Sequence, residues 1–452
     1  MCRMPEPRNT ATRSQPRVDD AEVRIRKHEW EEAVSTHFVE LFGKSSNDML
    51  LRSDHQSLPR EPFSINWVEG VIIVGAGPAG LATAACLSKQ GVPSLILERE
   101  DCIGSLWRYR TYDRLRLHIA KNFCELPFKP FPASFPTFPT RAQFLEYLDE
   151  YAREFDIRPQ FNECVKEATY CPGTGLWRVE SRGPLGSRTF IGRWLVVATG
   201  ENAEPSWPDV PGMETFNGSL LHSCDYKSGA EFAGKRVLVV GGGNSGLEVS
   251  LDLANHQAAV FLSVRGEVHV LPKEMLGFST FSIAMTLLKY LSLQWTDRVL
   301  LLLSRIILGE TSQLGFRRPN LGPMEMKSKE GKTPCLDAGT LSKIREGCIE
   351  VVSEVESFDS TGCYYMDGTP RMEFDAVILA TGFKSNVPKW LKEGDLFSSE
   401  GFPKPGAPCN WKGRNGLYSA GFARKGLLGV SMDALNIAKD IASLYIRQNT
   451  ML

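Results

Sequence analysis

Val71-Ile-Ile-Val74 runs directly into Gly75-Ala-Gly-Pro-Ala-Gly80 and then into a helix-forming stretch, residues 81–89. A continuous β-branched run, a glycine turn and a helix, in that order, open a nucleotide-binding βαβ unit. Gly75 allows the tight turn, Gly77 lets backbone approach a pyrophosphate with no Cβ in the way, and Gly80 permits close packing of helix on strand. Pro78 and Ala79 stand at the helix N-terminus, where amide donors and a partial positive charge suit phosphates. The next strand, residues 94–98, ends in Glu98, eighteen residues after Gly80 (98 − 80), where a carboxylate can accept hydrogen bonds from a ribose.

The pattern then starts afresh. Arg236-Val-Leu-Val-Val240 leads into Gly241-Gly-Gly-Asn-Ser-Gly246, a helix to about Asn255 and a strand over residues 259–264. Gly241, Gly243 and Gly246 repeat the first set of glycines, with Asn244 and Ser245 opening the helix. The position corresponding to Glu98 falls in Ser263-Val-Arg265. No carboxylate stands there to repel a 2′-phosphate, and Ser263 and Arg265 offer a hydroxyl and a charged fork that suit one. NADPH is therefore preferred over NADH.

Two nucleotide sites in one chain imply that one nucleotide delivers hydride to the other, which makes the first a flavin, FAD. The electrons must then leave the flavin. The eleven cysteines are scattered, with no CxxC or CxxxxC pair of the kind that thiol redox centres and zinc sites use. Disulfide reduction is thereby disfavoured, and molecular oxygen is the remaining acceptor.

Ala376-Val-Ile-Leu-Ala-Thr-Gly-Phe383 repeats the Ala-Thr-Gly ending of Trp194-Leu-Val-Val-Ala-Thr-Gly200, which suggests that the chain has returned to its first domain by residue 376. The expected fold is α/β: two Rossmann-like dinucleotide-binding domains, the NADPH domain inserted into the FAD domain. Residues 69–207 are assigned to the first part of the FAD-binding domain, 208–325 to the NADPH-binding domain and 326–452 to the second part of the FAD-binding domain. Residues 1–68 read as a flexible extension with at most a short helix around 23–41.

The totals agree with a chain of 452 residues, 42% hydrophobic, that can bury a substantial core. Lys plus Arg number 52 against 53 for Asp plus Glu, which leaves no global field to hold nucleic acid. No secretory signal and no run of about 18 uncharged apolar residues is visible, so no transmembrane span is expected. The expected location is cytoplasmic, with the cytosolic face of the endoplasmic reticulum as the alternative. Residues 278–308 are strongly apolar but are interrupted by Lys289, Asp297, Arg298 and Arg305, which favours buried or amphipathic helices over a membrane-docking segment. The repeated prolines of residues 126–139 exclude regular helix there.

Between the two glycine motifs, Phe216, Gly218, His222 and Tyr226 match FxGxxxHxxxY, the identifying motif of the class B flavin-containing monooxygenases. Gly104-Ser-Leu-Trp107, Tyr112-Asp-Arg-Leu-Arg-Leu-His118, Cys124-Glu-Leu-Pro127, Leu271-Pro-Lys-Glu-Met275 and Gly331-Lys-Thr-Pro334 extend the likeness. From Val71 almost to the C-terminus the chain resembles the plant YUCCA-type monooxygenases. The resemblance implies FAD, NADPH and oxygen acting on indole-3-pyruvate, a 2-oxo acid, to give the auxin indole-3-acetic acid with loss of carbon dioxide.

In such chemistry a flavin C4a-peroxide is itself the nucleophile, so neither a serine or cysteine nucleophile nor a metal is required, and the protein's task is to exclude water and orient the partners. The resemblance also places Trp107 at the FAD and His118 where related enzymes carry an asparagine close to the reactive ring edge. A packing role for His118 stands beside that reading, and His222 is largely architectural in it. Gly416–Phe422 and Gly426–Gly429 resemble the segment that closes the FAD site. The chain departs from the family at Ala120, where a proline is usual, and at Ser105, where a second glycine is usual. Two alternatives keep the fold: oxygenation of soft nitrogen or sulfur nucleophiles, and a flavin-bearing protein that no longer turns over.

Overall fold

The computed structural model describes residues 64–392, 395–404 and 410–450. Residues 1–63 of the expected extension, with the helix expected near residues 23–41, lie outside the described residues; the extension ends earlier than residue 68, because Ser64–Trp67 is a strand paired with Gly186–Gly192.

Val71–Val74 forms the centre of a four-stranded parallel sheet ordered Leu417–Ser419, Trp194–Val197, Val71–Val74, Ser94–Leu97. Its two central strands are apolar throughout because both faces are covered. On one face Leu81 and Ala85 of the helix Pro78–Lys89 pack with Ile437 and Ile441 of the C-terminal helix Gly426–Thr450. On the other face Ile72 and Leu195 meet Trp177 and Phe190. These two come from the meander Cys164–Cys171, Leu176–Gly183, Gly186–Gly192, to which Ser64–Trp67 adds a parallel edge.

A second parallel sheet has five strands, in the order Ile349–Val352, Ala259–Ser263, Arg236–Val240, Ala376–Leu379, Ser219–His222. Here the structure corrects the sequence reading. Ala376–Leu379 lies in the second sheet beside Arg236–Val240, and the chain returns to the first sheet only at Leu417–Ser419. The repeated Ala-Thr-Gly has a structural reason. In each sheet the alanine at the end of the neighbouring strand presents its carbonyl to the first glycine of the turn: a Cβ on Gly75 would lie 2.6 Å from the Ala198 oxygen, and one on Gly241 would lie 2.5 Å from the Ala380 oxygen. The motif marks one position in each of two similar sheets, not a return to the same sheet.

The two connections between the sheets run side by side. Glu204–Pro205 pairs antiparallel with Phe383–Lys384, the Ser206 amide donates to the Gly382 carbonyl at 2.9 Å, and Thr381 Oγ1 donates to the Ser206 carbonyl at 2.6 Å. The motif at 216–226 is built against this crossing. His222 Nδ1 accepts from the Cys224 amide at 3.2 Å, so its Nε2 carries the proton and donates to the Gly382 carbonyl at 3.0 Å. The ring packs edge-on to Phe383 at 5.1 Å. Tyr226 donates to Asp252 Oδ2 at 2.6 Å, which ties the motif to the helix Asn244–Asn255. Phe216 packs on Phe358 at 5.9 Å, and Gly218 sits where a Cβ would lie 2.6 Å from the Phe216 ring.

The apolar segment 278–308 forms the helices Thr280–Leu287 and Leu293–Leu308. The second is buried on one side only. It buries Thr296, Asp297, Leu300, Ser304 and Leu308, one stripe at near-fourfold spacing that is largely polar, and exposes the apolar Trp295, Leu302 and Ile306, so it is not the amphipathic helix expected. Asp297 accepts from the amides of Met324 and Glu325 at 2.8 and 3.0 Å, satisfying free donors at the start of the helix Pro323–Glu330. Among the described residues no helix is long and apolar enough to cross a membrane.

His222 is fully buried, and burial holds its pKa below the ordinary 6.5. Its stabilising contribution is therefore present above pH ~6.5 and is lost as pH falls through that value toward the depressed one. His222→Phe should cost about 1–3 kcal/mol by leaving the Cys224 amide unpartnered and removing one of the two donors to the Gly382 carbonyl, which keeps the Ser206 amide. Denaturant unfolding from pH 5 to 8 checks both expectations, because the variant should lack the acid-side decline that His222 causes.

Candidate active site

The first glycine turn is held in place by its own backbone. Gly75 takes a φ of +110°, and its amide donates to the Leu97 carbonyl at 2.8 Å. A Cβ on Gly80 would lie 1.9 Å from the Gly75 oxygen, so the helix can sit this close to the strand only without a side chain there. At Gly77 a Cβ would meet nothing within 4 Å. The helix that follows has no side-chain cap and no acidic residue in its first turn, so its leading amides face an open space suited to a phosphate.

Glu98 closes this turn from the next strand. Its Oε2 accepts from the Ala76 amide at 2.7 Å, and its Oε1 accepts from the Glu100 amide at 3.0 Å and from Ser105 Oγ at 3.3 Å. Burial pushes its pKa up, and the two amides pull it back. A carboxylate has about four acceptor directions, so one remains for a ribose hydroxyl. Ser105, the departure from the usual glycine, is thus used to orient Glu98. The Gly104 amide donates to the Ala76 carbonyl at 3.1 Å and sets the short helix Ser105–Tyr109 beside the turn. Trp107 projects from it, edge-on to Phe144 at 4.6 Å, and packs against the cores of both sheets.

The C-terminal segment reaches the same place. A Cβ on Gly421 would lie 3.1 Å from that of Ala79, and the Gly421 amide donates to Asp433 at 3.0 Å. Burial pushes the Asp433 carboxyl up to about 6.

The second turn repeats the first. Gly241 has a φ of +123° and donates to the Ser263 carbonyl at 3.0 Å; a Cβ on Gly246 would lie 1.8 Å from the Gly241 oxygen, and one on Gly243 would meet nothing within 4 Å. The helix Asn244–Asn255 is uncapped and carries no acid in its first turn. Asn244 Oδ1 accepts from the Leu336 amide at 2.9 Å, while Ser245 lies beside the buried Tyr112 hydroxyl. Ser263 does not fill its expected part. Its buried hydroxyl donates to the Ser353 carbonyl at 2.8 Å and is used within the sheet. Arg265 is 81% exposed and stands 3.8 Å from the Glu354 carboxylate, which leaves its guanidinium free to turn toward an anion.

Between the two turns lies a charged group that sequence reasoning missed. Glu248, one turn into the second helix, is buried, with His118 Nε2 3.6 Å from one oxygen and Arg114 Nε 3.6 Å from the other. Burial works to raise its pKa, but His118 and Arg114 together hold it below the ordinary range. His118 therefore belongs, with Arg114 and Glu248, to a polar cluster that joins the 112–118 loop to the second nucleotide helix. Lys273, in the stretch quoted above as Leu271–Met275, faces the same carboxylate. The available signal was a carboxylate on an otherwise buried helix face. Among the described residues no group of His, Cys, Asp and Glu could hold a metal ion.

Comparison with known proteins agrees with this geometry. Residues 69–396 match the model of the flavin-binding monooxygenase-like family. The chain belongs to that family. It is 54% identical over 380 residues to the probable indole-3-pyruvate monooxygenase YUCCA9 of Arabidopsis thaliana, covering 84% of this chain and 90% of that one. It is also 54% identical over 384 residues to the indole-3-pyruvate monooxygenase YUCCA1 of Oryza sativa, covering 85% and 94%. Among solved structures, the flavin-containing monooxygenase from Stenotrophomonas maltophilia superposes with a TM-score of 0.63 at 23% identity, covering 84% of this chain and 99% of that one. An oxidised steroid monooxygenase bound to NADP gives 0.69 at 18% identity, covering 84% and 87%. At these identities the structures show the fold, and it is the two-domain dinucleotide-binding fold of the flavin monooxygenases, a flavoprotein family that uses FAD and NADPH.

The two kinds of glycine should separate on substitution. Gly80→Ala should destabilise the apoprotein by about 1–3 kcal/mol, since backbone must move to admit the methyl group. Gly77→Ala should change apoprotein stability by less than ~0.5 kcal/mol while sharply weakening flavin retention. Thermal unfolding of the apoproteins and flavin content after gel filtration measure the two effects.

Proposed function

We propose that this chain catalyses the conversion of indole-3-pyruvate, NADPH, a proton and O2 into indole-3-acetic acid, CO2, NADP+ and water. The observation that carries the reading is the match to indole-3-pyruvate monooxygenases over most of both chains, combined with two open glycine turns in one molecule.

In this reading the amides that follow Gly77 hold the FAD pyrophosphate and Glu98 accepts from its ribose, with Trp107 alongside and the Gly421 segment closing the site. The amides that follow Gly243 hold NADPH, whose 2′-phosphate is met by Arg265. Bound there, FAD supplies hydride acceptance and oxygen activation. The chain contributes enclosure and alignment: the paired connections set one turn opposite the other, and Glu248 orients the His118 ring at the boundary. Water exclusion falls to the proline- and phenylalanine-rich 126–139 loop. The proposed compartment is the cytoplasm. Nine cysteines among the described residues are free, as a reducing environment would keep them.

Purified enzyme given indole-3-pyruvate, NADPH and oxygen should form indole-3-acetic acid in step with NADPH consumption. Oxidation of NADPH to hydrogen peroxide alone, with no indole-3-acetic acid, would overturn the reading. Arg265→Ala should raise KM for NADPH about tenfold or more and leave KM for NADH nearly unchanged. Equal effects on the two would remove the role given to Arg265.

A further inference from the structure

Lys273 is half-buried, yet among the described residues no carboxylate lies within 4.0 Å of its ammonium and no oxygen accepts from it. An ammonium withdrawn from water without an acceptor is costly, so such a group is informative where a solvated lysine is not. Its Nζ stands 4.4 Å from the centre of the Phe138 ring. The Lys273 carbonyl accepts from the Thr280 amide at 3.1 Å, which brings the following Phe281 alongside, and Phe281 meets Phe123 edge-on at 5.0 Å. Three half-buried rings from two separate segments thus gather here: Phe281 against Phe123, with the Lys327 ammonium 6.0 Å from the Phe281 ring centre, and Phe138 against the unpaired cation Lys273.

The charge around it is unbalanced. Arg114 and Arg116 bear on Lys273 as further fixed cations, and Glu248 and Glu274 are the carboxylates that act on it, two against three cations. Glu248 is already shared between Arg114 and His118. Burial, with the arginines, lowers the pKa of Lys273 while Glu248 and Glu274 work to raise it. The place is short of negative charge and rich in aromatic surface. Lys273 shares the Glu248 carboxylate of the second nucleotide helix with His118.

We propose that Lys273 holds the carboxylate of an aromatic 2-oxo acid, with Phe123, Phe138 and Phe281 providing the apolar surface for its ring. The assignment rests on the reaction proposed above and adds the residue that recognises the acid. A nucleotide phosphate is the other anion within reach. The substrate carboxylate is favoured because the leading amides at Gly243 are the donors suited to phosphate, and because the Phe138 ring faces the ammonium.

The test uses holoenzyme carrying Lys273→Met or Lys273→Arg, both checked for unchanged flavin content and melting temperature. Lys273→Met should raise KM for indole-3-pyruvate and for phenylpyruvate at least tenfold, leaving KM for NADPH and the anaerobic rate of flavin reduction unchanged. Lys273→Arg should recover most of the loss. An unchanged KM for the 2-oxo acids, or a rise confined to NADPH, would overturn the proposal, the latter by assigning the lysine to a cofactor phosphate. If the wild-type enzyme makes no indole-3-acetic acid, the reaction fails on its own, and the anion site is read separately by titrating the flavin absorbance with indole-3-acetate and with indole-3-acetamide. Tighter binding of the acid, lost in Lys273→Met, supports the site; equal binding of acid and amide refutes it.

Discussion

The close approach of Gly80 to the carbonyl of Gly75, with no room for a Cβ between them, is the constraint on which the rest of the molecule depends. It brings the helix Pro78–Lys89 tightly onto its strand, so that the uncapped N-terminus ends at an open turn and not at a packed side chain. The same contact recurs between Gly246 and Gly241. In each sheet the neighbouring strand completes the turn from the other side, through Ala198 or Ala380. Each turn is thus shaped by close backbone approach, with Glu98 holding the Ala76 amide of the first, and backbone amides are what a pyrophosphate needs.

Such a constraint is legible in sequence because it is local and steric. Both glycine motifs, the positions of their strands and helices, and the presence of two nucleotide units could be read from spacing. Membership of a strand in one sheet or the other could not. Ala376–Leu379 carries the same ending as Trp194–Val197, and only long-range pairing decides that it lies beside Arg236–Val240. Ser263 was misread for a similar reason, since the carbonyl that takes its hydroxyl is ninety residues away.

The part of the site that was not foreseen is assembled from three segments with no common periodicity: the 112–118 loop, the second nucleotide helix and the turn at Lys273. His118 could be placed near the flavin only by resemblance, whereas its relation to Glu248 is a matter of tertiary packing. The FxGxxxHxxxY motif was recognisable but mechanically opaque. Its histidine ties Ser219–His222 to the second connection through Gly382, and its tyrosine ties the same stretch to the second nucleotide helix. The motif thus holds the crossing from which both turns are aligned.

That alignment is the central claim, and it can be tested without oxygen or substrate. Purified holoenzyme mixed anaerobically with NADPH in a stopped-flow spectrophotometer should lose its yellow flavin absorbance in full with one NADPH consumed per flavin, because the two turns bring the two nucleotides together within one chain. A chain that binds flavin and NADPH yet leaves the flavin oxidised would contradict the account.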